Sequence, residues 1–99
     1  MRMCLKVEID NEAGNSALRD GSLPKLMQSL QTELKPEAAY FTTDQGNRTA
    51  FFYFNMTDSA QIPSIAEPLF MGLKAKLTLT PVMNGEELAK GLEAWKKKM

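Results

Sequence analysis

Arg48-Thr49-Ala50-Phe51-Phe52-Tyr53-Phe54-Asn55-Met56 reads as a strand that is apolar on both faces. Successive side chains of a strand point to opposite sides, so four aromatics in a row need cover above and below. Such a strand is central in its sheet and demands a second layer besides any helices. Immediately upstream, Asp44-Gln45-Gly46-Asn47 is a tight hairpin loop in which Gly46 is free to take positive φ. The loop joins Arg48–Met56 to a partner strand over Ala38–Thr43, with Tyr40 and Phe41 on opposite faces.

Further out, Arg2–Asp10 alternates cleanly, with Met3, Leu5, Val7 and Ile9 on one face and Arg2, Cys4, Lys6, Glu8 and Asp10 on the other. Period two with one apolar face predicts a strand packed on one side. Asn11–Gly21 contains Gly14, Asn15, Asp20 and Gly21 and is read as a loop, with one helical turn around Ser16–Arg19. Ser22 is the expected cap of a helix with Pro24 in its first turn, where a missing N–H is harmless. Leu23, Leu26, Met27, Leu30 and Leu34 form its apolar stripe, and Pro36 ends it.

Downstream, Asp58 caps a second helical pattern with Ile62, Ile65, Ala66, Leu69 and Phe70 on one face. Pro68 is expected to bend or break it, and Gly72 to close it. A fourth strand runs from about Lys74 to Val82, with Ala75, Leu77 and Leu79 facing in. Asn84 and Glu87 make a capping box for a last helix striped by Leu88, Leu92 and Trp95, with Trp95 read as a packing anchor. Lys96-Lys97-Lys98 closes it, where cations complement the helix dipole.

The order strand-helix-strand-strand-helix-strand, plus a C-terminal helix, predicts one α+β domain over residues 1–99. It is a ferredoxin-like βαββαβ sandwich with a four-stranded antiparallel sheet and right-handed crossovers, read as joining strand one to three and two to four. With two helices on one face, the other face is bare and carries aromatics. Pairing two such faces makes a homodimer, a dimeric α+β barrel.

Composition narrows the function. Twelve basic residues balance twelve acidic ones, which excludes a net attraction for nucleic acid or anionic lipid. There is no histidine, so the commonest acid/base and metal-binding side chain is missing. One cysteine, Cys4, provides neither an internal disulfide nor a zinc site and fits a reducing cytosol. Charges at Arg2, Lys6 and Glu8 argue against a signal peptide, and no stretch reaches the ~20 apolar residues of a membrane span. Neither a calcium-loop spacing nor a glycine-rich phosphate loop is present, so no metal or cofactor is expected.

The stretches Ala13-Gly14-Asn15, Asp20-Gly21, Pro36-Glu37-Ala38-Ala39-Tyr40-Phe41, Glu67-Pro68-Leu69-Phe70 and Pro81-Val82-Met83-Asn84, with Leu88, resemble the dimeric α+β barrel superfamily, in a short bacterial branch. The likeness in element order spans nearly the whole chain. That superfamily includes cofactor-free monooxygenases, isomerases, haem-handling enzymes and stress-related proteins, and fold alone does not choose among them. The histidine-dependent activities do not carry over to this chain.

Tyr40 and Tyr53, on neighbouring strands, and Arg48, at the start of the aromatic strand, are the candidate ligand-binding residues. Aromatic walls with one cation suit a small aromatic or keto acid better than a nucleotide. Against this stand packing for the tyrosines and an Arg48–Asp44 surface pair. Lys6 and Glu8 imply either a polar pocket or a cross-sheet ion pair. The leading expectation is a small cytosolic homodimer that binds an apolar or carboxylate ligand in a cleft between helices and sheet or in the barrel interior. The alternative is a cofactor-free monooxygenase or isomerase acting on an aromatic or ketonic substrate, with Glu8 or Glu67 taking a proton.

Overall fold

The computed structural model describes residues Met1–Met99. Strands β1 (Arg2–Glu8), β2 (Ala38–Asp44), β3 (Asn47–Asn55) and β4 (Lys76–Pro81) form one antiparallel sheet in the order β2-β3-β1-β4. Helices α1 (Asn11–Asp20), α2 (Ser22–Leu34) and α3 (Ile62–Leu73) accompany the sheet, and α4 (Gly85–Lys96) follows β4. This is an α+β fold of ferredoxin-like order with an added C-terminal helix. The crossovers differ from expectation. Helices α1 and α2 connect β1 to β2, and α3 connects β3 to β4, so β3 is inserted beside β1 as a central strand.

Register explains the layering. Leu5 lies opposite both Phe52 and Leu79, and Val7 opposite Ala50 and Leu77. These residues and Met3 and Phe54 point to the helices, and Leu5, Val7 and Phe52 are almost wholly buried. Phe41 adds its ring edge-on to Phe52 at 5.9 Å. Leu30, Leu34, Ile65, Leu69 and Leu73 close the core from α2 and α3.

Asn11–Asp20 is a helix rather than a loop. The Asp10 carboxylate accepts from the Ala13 N–H at 3.0 Å, and Gly21, at φ 81°, terminates α1. Gly14 and Ala17 are its buried residues, so it lies close without a large apolar stripe. Ser22 is not a side-chain cap. Its N–H instead donates to Asp20 Oδ1 at 2.8 Å, which turns the chain directly from α1 into α2.

Pro68 is accommodated inside α3, and the helix continues through Gly72 to Leu73. Gly72 serves packing instead, since a Cβ there would sit 2.9 Å from Leu26 Cδ1 of α2. In the β2–β3 hairpin both Gln45 (φ 53°) and Gly46 (φ 82°) are left-handed, the type I′ geometry that matches strand twist.

The last helix leaves the body. Its capping box forms, with Asn84 and Glu87 exchanging bonds of 2.9 Å, but no residue of α4 is buried. Trp95 is 58% exposed and anchors nothing in its own chain. No helix is long and apolar enough to cross a membrane.

Candidate functional site

The register places Tyr40 opposite Phe51 and Tyr53 opposite Cys4, all on the sheet face away from the helices. Arg48 lies opposite Thr43, on the helix side. The three candidate residues therefore divide, with two tyrosines on the open face and Arg48 on the other.

The open face is polar at its rims and aromatic at its middle. Lys6 Nζ meets Asp44 Oδ2 at 2.7 Å and passes over the Phe51 ring at 5.9 Å. This ion pair stays within one sheet, and Asp44 serves Lys6 rather than Arg48. The hydrogen bond that Lys6 donates to Asp44 holds the ammonium above its ordinary range, opposed by partial desolvation. The Tyr53 hydroxyl is likewise held above its ordinary value, first by the thiol of Cys4, the residue paired with it across β1 and β3. At the end of the face Arg2 pairs with Glu37 at 2.6 Å and with Glu87 of α4, and the two carboxylates keep it charged.

On the helix side, an apolar cleft of about 230 Å³ opens between α2 and the β2–β3 hairpin. Ile9, Leu23, Met27, Phe41 and Ala50 form its walls, and Arg48 lines it as the one cation. The elements explain the assembly. The type I′ turn sets Arg48 at the second residue of β3, and α1 passes beside it because Gly14 has no side chain. Arg48 Nη2 donates to Asn15 Oδ1 at 3.0 Å, a neutral partner. None of the chain's three ion pairs involves Arg48. A half-buried guanidinium with spare donors is suited to receive a planar carboxylate through two parallel bonds.

The other candidates lie elsewhere. Glu67 is exposed on α3, Arg19 is exposed on α1, and Glu8 stands on the open face opposite Thr49 and Lys76. Asp20 is held below its ordinary range by its bonds from Ser22. No group of three or more Cys, Asp or Glu side chains converges in a way that would hold a metal ion.

Asn15 and the apolar walls were not singled out from sequence. Asp10 before the stretch and Gly21 after it are the start and stop signals that would have revealed α1 and brought Asn15 to Arg48. Compared with known protein families, curated proteins and solved structures, the chain matches none.

Proposed function

We propose that the protein is a non-catalytic homodimer that binds a small apolar carboxylate in the cleft between α2 and the β2–β3 hairpin, with Arg48 as the anchor. The observation that carries this reading is a guanidinium without a carboxylate partner lining a cleft whose other walls are five apolar residues and the uncharged Thr42 and Thr49. Its volume of about 230 Å³ lies below the range for drug-sized ligands, which suits a single ring or a short acyl chain. Glu8 and Glu67, the carboxylates that proton transfer would need, do not border the cleft, so a binding role is favoured over an isomerase or monooxygenase.

Dimerisation is proposed through the open faces, as in dimeric α+β barrels of the bacterial branch that the sequence resembles. Tyr40, 63% exposed, and the half-buried Phe51 and Tyr53 make an aromatic patch that a second sheet at ~10 Å would cover. The free Cys4 on that face suits a reducing cytosol.

Thermal unfolding with benzoate and phenylacetate, each beside its neutral amide, tests the ligand reading. At about 100 times Kd a ligand stabilises by about 2.7 kcal/mol, a shift on the order of 10 °C for this chain length. The acids are expected to stabilise the parent and not an Arg48→Ala variant. Equal effects of the amides, or an unchanged response in Arg48→Ala, would refute it.

A further inference from the structure

A second apolar groove, of about 190 Å³, runs between α3 and β4. Leu5, Ile62, Ile65, Phe70, Leu77 and Leu79 line it, with Ile62 38% and Phe70 45% exposed. The same chain carries an apolar helix face without a partner. Leu88, Leu92 and Trp95 of α4 repeat at helical spacing and are 46%, 49% and 58% exposed. We propose that α4 of a second copy docks in this groove, each protomer giving a helix and receiving one. The proposal deepens the homodimer reading and rests on it for stoichiometry, not on the ligand.

Length, area and charge agree on this occupant. From Leu88 to Trp95 a helix rises about 10 Å, and from Ile62 to Phe70 about 12 Å. Taking roughly 150–250 Å² for each large side chain, the exposed fractions of these five residues amount to about 900 Å² over two reciprocal dockings. That approaches the ~1,000 Å² of a specific interface. At the ends of the groove, Asp58 precedes α3 and Lys74 follows it, with Glu67 exposed at the middle of the helix. Along α4, Glu86 stands free at the start, beside the Glu87 that Arg2 holds, and Lys96, Lys97 and Lys98 stand at the end. Opposite charges meet when α4 lies antiparallel to α3, which also pairs their dipoles favourably.

The helix is directed away from its own groove. Val82 N–H still bonds Arg2 O at 3.0 Å, so only Met83 and Asn84 separate the β1 ladder from α4. Arg2, a residue of the open-face side, then holds Glu87 in the first turn. The chain accordingly extends 55 Å in one direction, with a radius of gyration of 15.9 Å against about 13 Å for a compact domain of this length. Docking at home would require that contact to break and the helix to turn back around the β4 edge.

Trp95 is the only tryptophan, so its emission reports on α4 directly. Sedimentation equilibrium and tryptophan fluorescence over a dilution series are to be measured for the parent, Phe70→Glu and Leu92→Glu. Circular dichroism checks the fold, and Leu92, exposed in the single chain, is a substitution that the fold tolerates. The parent is expected at twice 11.1 kDa, with blue-shifted emission that moves red on dilution. Both variants are expected to emit red at all concentrations, with dimer affinity weakened about tenfold or more. A parent dimer with red Trp95 emission would overturn helix docking while leaving the homodimer standing. A blue shift independent of concentration would mean docking within one chain and also overturn it. A monomer throughout would defeat both readings.

Discussion

Gly14 and Arg48 compete for one space, since a Cβ added to Gly14 would lie 2.8 Å from Arg48 Nη1 and 3.0 Å from Ile9 Cγ2. The bare glycine is what lets the guanidinium lie against α1 and donate to Asn15 while lining the cleft. In a Gly14→Ala variant the flexible arginine end must move. Alanine's helix preference, up to about 1 kcal/mol, offsets much of the crowding. Stability in urea is therefore expected to change by about 1 kcal/mol or less, while benzoate binding measured by calorimetry weakens about tenfold, through the displaced anchor. Unaltered binding would separate Gly14 from the site.

Lys35 closes α2 in the left-handed region at φ 47°, with its N–H bonded to Gln31 O. A side chain there costs about 1–2 kcal/mol relative to glycine, part of which glycine loses again through the freedom of the unfolded chain. Lys35→Gly is expected to raise unfolding stability by about 0.5–1 kcal/mol, read as a higher urea midpoint at constant slope. A lower midpoint would mean that the lysine chain contributes packing that offsets its backbone strain.

The Lys6–Asp44 pair sets an alkaline limit. Lys6 is raised above its ordinary value of 10.5 in the folded chain, so the pair's contribution is complete below that value. It is lost as pH rises through the higher folded value. Tyr53, raised above 10.0, acts on the same limb. Asp20 is lowered from 3.8, so its contribution is present above that value and is lost as pH falls through the lower folded value. Urea midpoints of the parent and of Asp44→Asn should differ from pH 8 to 10 and converge at higher pH. Tyr53 is common to both and cancels. A difference that persists unchanged into the alkaline range would mean that the pair contributes by packing rather than charge.

The strands were legible because burial on one face imposes period two. Met3, Leu5, Val7 and Ile9 are buried, and Phe51 and Phe52 divide between the faces, with Phe52 covered by the helices and Phe51 half-buried on the open face. Helix α1 writes no apolar stripe, because its buried residues are Gly14 and Ala17, and only its end signals, Asp10 and Gly21, mark it in the sequence. Arg48 reads from the sequence as a cation suited to a carboxylate, but not, by its place in the strand, as a partner of Tyr53. They stand five positions apart along one strand, an odd offset, and alternation puts them on opposite faces. The direction of α4 depends on Arg2 reaching Glu87 from 85 residues away, a relationship that no local pattern records.

Benzoate titrated into ¹⁵N-labelled protein and followed by two-dimensional NMR tests the central claim most directly. Saturable shifts are predicted at Ile9, Leu23, Met27 and the Arg48 side-chain N–H groups, with Tyr40 and Tyr53 unmoved. Saturable shifts at Tyr40 and Tyr53 with Arg48 unmoved would place the site on the open face and contradict the assignment, as would no saturable shift at Arg48 at all.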